Sequence, residues 1–186
     1  MGTTIITILA VIFGIGLIGI ILIFNRIIKH RNGVSEAWSG IDVQLKRRHN
    51  LVPNLVEVVK SYQNHERDTL EKVTAARSLA SAATGPENAG SAERDVTMGL
   101  RNLFAVAEEY PELKSDRNFQ QLSAQLVEIE DQIQFARRYY NGSVRDYNTM
   151  IQSFPANLLA AQFQFAPEDF FELETSTEKQ NPQVSL

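Results

Sequence analysis

FQQLSAQLVEIEDQIQFARRYYNGSVRDYNTMIQSF, residues 119–154, decides the fold. Phe119, Leu122, Leu126, Ile129, Ile133, Ala136, Tyr140, Ser143, Tyr147, Met150 and Phe154 follow one another in steps of three and four without a slip. That spacing lays them along one face of an α-helix with a coiled-coil-like seam. At 1.5 Å per residue the pattern predicts a helix of ~55 Å, ended by Pro155. Asn141-Gly142 is a hairpin signal between strands, but between two in-phase halves of a helix it reads as a tolerated weak point. Glu128, Glu130 and Asp131 fall between the apolar positions and read as a solvated face, not a catalytic carboxylate set.

Working toward the N-terminus, Val96, Leu100, Leu103, Ala107 and Tyr110 make a shorter stripe that stops before Pro111. Thr84 to Ser91, with Gly85-Pro86 and Asn88-Ala89-Gly90, reads as a loop. Before it, Ile41, Leu45, Val52, Leu55, Val59, Tyr62, Thr69, Val73, Ala76 and Ala80 keep one phase, broken only by Arg48 and Glu66. The run predicts one helix of ~70 Å over residues 35–81, kinked at Pro53. A charge in an apolar-phase position is costly unless paired, so Arg48 and Glu66 either meet partners in the bundle or mark where the stripe meets solvent. On the other side of residue 154, Ala156 to Glu174 is a short aromatic segment, and polar residues 175–186 are expected to be disordered. No strand candidate emerges. The expected fold is all-α, with an N-terminal transmembrane helix followed by an antiparallel bundle of long helices. Because the predicted second helix is much shorter than its neighbours, the ends of the long stripes lack a partner within the chain unless the last segment folds back onto them, and self-association is the natural remedy.

The transmembrane reading rests on Gly2 to Asn25, which carries no charge, and on its centre Ile5 to Phe24, long enough to cross a hydrocarbon core. A signal peptide would need a positive start and a small-x-small cleavage site, and neither is present. Arg26, Lys29 and Arg31 come directly after the span, so the positive-inside rule predicts N-out topology with the C-terminal part cytoplasmic. The expected organisation is a transmembrane helix at 1–25, a cytoplasmic helical bundle at 26–174 and a tail at 175–186. Gly14-Ile15-Gly16-Leu17-Ile18-Gly19 has the letters of a dinucleotide fingerprint but neither the preceding strand nor the soluble helix that motif requires. Ala10 and Gly14, four residues apart, are instead candidates for close packing between two membrane helices.

The remaining composition excludes several classes of function. The 186 residues include no cysteine, which removes disulfides, thiolate metal sites and thiol nucleophiles. A net charge of -4 without a basic tract offers nothing to nucleic acid. His30, His49 and His65 lack a Glu three residues earlier, so the Glu-x-x-His pairs of di-iron bundles do not occur, and His65-Glu66 lacks the second His of a zinc-protease helix. No cofactor or metal site and no enzymatic activity are expected. Trp38 and Tyr139-Tyr140 read as packing aromatics.

Glu36-Ala37-Trp38-Ser39, Ile41-Asp42-Val43-Gln44-Leu45-Lys46-Arg47-Arg48 and Leu51-Val52-Pro53-Asn54-Leu55-Val56-Glu57 together resemble the signature of the bacterial LemA family. The likeness continues through Ala105-Val106-Ala107-Glu108, Tyr110-Pro111-Glu112-Leu113-Lys114, Ala136-Arg137-Arg138-Tyr139-Tyr140-Asn141, Ser153-Phe154-Pro155 and Phe170-Phe171-Glu172. Gly142 stands where an acidic residue is common. The resemblance implies a membrane helix, a long-helix domain and no established enzymatic activity, with one branch associated with magnetosome membrane formation. The expected function is therefore a membrane-anchored scaffold in the bacterial inner membrane, in contact with the bilayer, that self-associates and organises or remodels the membrane. The alternative is an adaptor for another membrane protein such as a quality-control protease. Candidate bundle or oligomer contacts are Trp38, Ile41, Leu45, Ile133, Tyr140, Phe163, Phe165, Phe170 and Phe171. Glu168, Asp169, Glu172 and Glu174 around the last two rings favour docking on protein over docking on an anionic leaflet.

Overall fold

A computed structural model describes residues 2–62 and 67–172. Six helices are described in chain order: α1 Gly2–Tyr62, α2 Arg67–Ala82, α3 Pro86–Glu108, α4 Pro111–Ser115, α5 Arg117–Gln152 and α6 Ala156–Gln162. No strand occurs among the described residues, and the fold is all-α. Glu66, His65 and the tail 175–186 lie outside them.

The apolar span and the first helix after it are one element, because nothing between Phe24 and Ser35 breaks a helix. Gly14, Gly16 and Gly19 lie inside it, so the fingerprint-like glycines serve no phosphate loop. α1 also continues through Pro53. Proline there has no N–H to give the carbonyl of His49 one turn earlier. Arg77 supplies the missing donor: its Nε donates to the His49 carbonyl oxygen at 3.1 Å.

That bond corrects the expectation of a single helix over 35–81. His49 and Arg77 would lie ~42 Å apart on a straight helix, so the chain reverses between them, and α1 and α2 are two antiparallel arms. A helical hairpin keeps its apolar stripe in phase across the turn, which is why the period hid the break. The expected loop over 84–91 is corrected too. Gly85, at φ 82°, turns the chain, and Pro86 opens α3 at the first helical position, where its missing N–H costs nothing. Gly90 is helical, and a Cβ on it would come within 2.5 Å of the Glu172 carbonyl oxygen. Its role is close approach, not flexibility. α5 matches its predicted length and passes unbroken through Asn141-Gly142.

By contacts the chain forms two units, residues 1–37 with 139–168 and residues 38–138 with the described part of 169–186. In the second unit Val52, Leu55, Val59, Val73, Val96 and Leu103 form a dry core with Phe119 and Leu126, each full burial of such a side chain contributing about 1.5–3 kcal/mol. Gly99 lets α3 close on Val73 of α2, whose Cα lies 3.3 Å from where a Cβ would sit. Asp116 caps α5 by accepting the Phe119 N–H at 2.9 Å and also accepts the Tyr62 hydroxyl at 2.9 Å. The Phe119 N–H and then the Tyr62 hydroxyl hold the Asp116 carboxyl below the usual range, and the bond to Asp116 pushes the Tyr62 phenol up.

The first unit packs Ile27 and Val34 of α1 with Tyr140, Val144, Tyr147 and Ile151 of α5 in its interior. The Tyr147 hydroxyl donates to the Ala166 carbonyl at 3.0 Å, and Asn148 exchanges two bonds with the Glu168 backbone at 3.0 and 2.9 Å. These ties fasten the segment after α6 to α5. The long stripes are thus covered inside the chain: Ile41, Leu45 and Leu55 of α1 and Phe119, Ile129, Ile133 and Tyr147 of α5 are all buried. The last segment folds back onto α1 and α5, the intrachain alternative to covering their ends with a second copy.

Candidate functional site

Two constellations stand out, one in each unit. In residues 38–138, α1 carries Arg48 and His49 into the interior, where both face α3. The Arg48 side chain is 1% exposed. Its Nη2 donates to Glu93 Oε2, and its Nη1 donates to Glu130 Oε2 at 2.9 Å and to Thr97 Oγ1 at 3.2 Å. His49 Nε2 and Glu93 Oε1 are 2.6 Å apart. An ionised Glu93 carboxylate can only accept, which puts the imidazole proton of this bond on Nε2. Thr97 Oγ1 donates in turn to the Glu93 carbonyl at 3.0 Å, and Gln134 donates to Glu130 Oε1 at 2.9 Å. Burial pushes the Glu93 carboxyl up, but the His49 bond and the Arg48 charge outweigh it and hold the group below the ordinary carboxylate range.

Both Glu93 oxygens are occupied, so the carboxylate is not a free general base. What the arrangement supplies is a charged tie among α1, α3 and α5. A buried pair of this kind adds little net stability over an apolar substitute, yet losing one partner costs about 3–5 kcal/mol because the other charge is stranded. Its value is register: Arg48 meets two carboxylates in only one alignment of the three helices. Arg48 Nε and Gln44 Oε1 are buried without a hydrogen-bond partner among the described residues. Among the described residues no group of three or more His, Asp or Glu side chains is placed to hold a metal ion.

The open question of Arg48 is therefore answered by pairing. The solvated reading of Glu130 is corrected: it is 36% exposed and bound to Arg48. Glu93, His49 and Thr97 escaped the sequence reading. Their signal was present, because Glu93 continues the stripe Val96, Leu100, Leu103 back by a step of three, and a carboxylate in that phase asks for a cation in the phase of its neighbour.

In residues 1–37 with 139–168 the constellation is apolar. No residue of the most apolar stretch of α1 is buried, and the helix is long and apolar enough to cross a membrane. Ala10 and Gly14 lie on this bare stretch, and nothing outside α1 comes within 4 Å of where a Cβ on Gly14 would sit. At its end Phe24 meets Phe163 edge-on and Phe165 at a tilt, with ring centroids 5.0 and 5.8 Å away. Phe163 stays exposed and Phe165 is half-buried.

The other candidate contacts belong to the second unit apart from Tyr140, which is buried in the first. Ile41, Leu45 and Ile133 are core residues, and half-buried Trp38 packs its ring against Phe171 at 5.6 Å. Phe171 is fully buried, whereas Phe170 beside it is exposed. The four phenylalanines grouped in the sequence thus divide: Phe163 and Phe165 collar the anchor, Phe171 completes a core, and Phe170 faces outward.

The profile of the LemA family matches residues 37–186. Protein LemA of Metamycoplasma hominis is 29% identical over 140 residues, covering 73% of this chain and 63% of that one. Magnetosome protein MamQ 2 of Paramagnetospirillum magneticum is 25% identical over 175 residues, and magnetosome protein MamQ of Magnetospirillum gryphiswaldense 24% over 174, each covering 80% of this chain and 64% of the relative. The alignments span just under two thirds of the length of these relatives. None of the names states a reaction. A family profile over most of the chain, joined to an apolar helix that runs without a break into a helical bundle, identifies a membrane-anchored protein that belongs to the LemA family.

Proposed function

We propose that the protein is a non-enzymatic helical scaffold of the bacterial inner membrane, N-out with its bundle in the cytoplasm, that self-associates through its anchor and organises or remodels the membrane. The observation that carries this reading is the bare stretch of α1, none of which is buried by the described residues. Because α1 runs on past the span without a break, a contact made in the membrane also orients the helix beyond it. Small residues at Ala10 and Gly14 allow two such helices to approach closely, where packing and not hydrophobicity drives association. The positive cluster Arg26, Lys29 and Arg31 supports the orientation.

Size after mild detergent extraction tests self-association. A uniform assembly that shrinks in Gly14→Leu supports the scaffold; a monomer at every concentration contradicts it. A small species that grows only when another membrane protein, such as a protease, is added supports the adaptor reading, for which Phe170 is the exposed candidate contact. For orientation, a cysteine at exposed Ser78 stays unlabelled by an impermeant thiol reagent in intact cells, and ready labelling reverses the topology.

A further inference from the structure

On leaving α5 the chain travels toward the anchor. Tyr147 lies within electrostatic reach of Arg31, and Phe163 and Phe165 then close on Phe24, the last apolar residue of the span before Asn25-Arg26. The part of the chain around α6 is therefore held where α1, as a spanning helix, leaves the hydrocarbon.

Two independent features mark this segment. From Tyr147 through Pro167 there is no Asp, Glu, Lys, Arg or His, in a chain that is 22% charged. The segment also turns large apolar side chains outward. α6 buries Ala156 and Ala160 on one face, and Leu158, about 200° around the helix from Ala156, is 62% exposed. Phe154 in the preceding turn is 81% exposed and Phe163 is 54% exposed. A single exposed leucine is ordinary, but three bulky apolar groups with no charge among them, continuous with a membrane span through Phe24, mark an interaction surface.

We propose that α6 and its flanking turns dock on the lipid bilayer, inserting Phe154, Leu158 and Phe163 at the headgroup boundary of the leaflet from which α1 emerges. This rests on α1 spanning the membrane. The occupant is lipid because Phe163 and Phe165, which close this segment, pack on Phe24 at the end of the anchor's apolar stretch. The carboxylates that disfavour a membrane begin only at Glu168, and Phe171 among them is committed to a protein core. Interfacial helices usually combine apolar area with attraction between Lys or Arg and anionic lipid; this one has only the apolar component, so its docking is independent of anionic lipid. A second point of attachment fixes the tilt and rotation of α1, which interfacial aromatic side chains set in membrane helices. Apolar side chains wedged into one leaflet also expand it, a direct route to bending a membrane.

The absence of cysteine makes the test clean, since any thiol introduced is unique. The full chain carrying a nitroxide at Leu158→Cys, Phe154→Cys, Ser78→Cys or Ile12→Cys is reconstituted into phosphatidylcholine vesicles with and without phosphatidylglycerol. Collisions with oxygen, which concentrates in lipid, are compared with collisions with a water-soluble nickel chelate. The expected oxygen-to-nickel ratio at Leu158 and Phe154 is several-fold above that at Ser78, equal in both lipid mixtures, with Ile12 highest. A ratio at Leu158 and Phe154 like that at Ser78, with Ile12 still lipid-like, overturns docking and leaves the anchor standing. Labels there shielded from both reagents place a protein on the surface and overturn lipid docking as well. A water-like Ile12 overturns the spanning anchor and docking together.

Discussion

In residues 38–138 charges turn inward, Arg48 and Glu93, with His49 beside them. In residues 139–168 no charge is buried, and Phe154, Leu158 and Phe163 turn outward within a run that carries no charge, whereas the exposed Leu79, Met98, Val127 and Phe135 of the other region stand among charged neighbours. Both departures are costly in water, and the two regions meet the cost differently. The inward charges satisfy each other, so their environment is complete within the chain. The outward apolar groups stay largely exposed, Phe163 even with its edge on Phe24, and in the docking proposed above they are met by lipid. The first kind of departure specifies an alignment of helices, and the second specifies a surrounding phase.

The sharpest way to break the inward half of this comparison is Arg48→Met. It strands Glu93 and should cost about 3–5 kcal/mol, read from urea unfolding in detergent micelles, while Arg48→Met with Glu93→Leu regains a large part. A single-variant loss under about 1 kcal/mol would show that the tie does not hold the helices. Acid acts on the same bond. Because the folded Glu93 carboxyl is held below its ordinary range, its contribution is present above the unfolded value and disappears as pH falls through the folded one. The melting temperature should therefore drop steeply on acidification below the usual carboxylate range, and less so in Glu93→Gln.

Arg77→Ala comes next. It leaves the His49 carbonyl without the donor that Pro53 cannot provide, at about 1–3 kcal/mol. Pro53→Ala restores a backbone N–H, so the double variant should lose less than Arg77→Ala alone, and a double-mutant cycle measures the coupling. Additive losses would show that the carbonyl is satisfied by water. Glu130→Ala, part-exposed but bound to Arg48, should cost about 1 kcal/mol, against 0 to about 0.5 for exposed Glu128→Ala. Equal losses would return Glu130 to the solvated face. The smallest effect is expected in the other unit: Leu158→Ser should change stability in micelles by no more than about 0.5 kcal/mol, because its place is outside the protein core.

Much of this architecture was legible in the sequence. Period identified α5 to within a residue or two, since a helix with one core-facing side from end to end writes that side into every turn. The apolar span needed only its length and lack of charge, and the signature residues from Glu36 to Glu57 carried the family. The hidden features were those that depend on a distant partner. The reversal between α1 and α2 preserves phase, so only the apolar-phase Glu66 hinted at it. Gly85-Pro86 and Gly90 have the composition of a loop; the first pair opens a helix, and the role of Gly90, admitting the Glu172 backbone, is set by a neighbour far along the chain. Arg48 announced that it needed a partner without naming Glu93. The uncharged run 147–167 went unremarked beside the carboxylates that come after it, because Phe163 and Phe171 read alike until Phe24 and Trp38 separate them.

Self-association through the anchor is tested most directly by placing a unique cysteine at Ala10, Ile12 or Gly14 and oxidising native membranes. Ala10 and Gly14 lie about 40° apart around the helix and Ile12 about 200° from Ala10, so one packed face brings only the first two against a second copy. The prediction is disulfide-linked dimers for Ala10→Cys and Gly14→Cys and few for Ile12→Cys. Equal yields at all three positions, or no dimers at any, would contradict an anchor that holds the copies together.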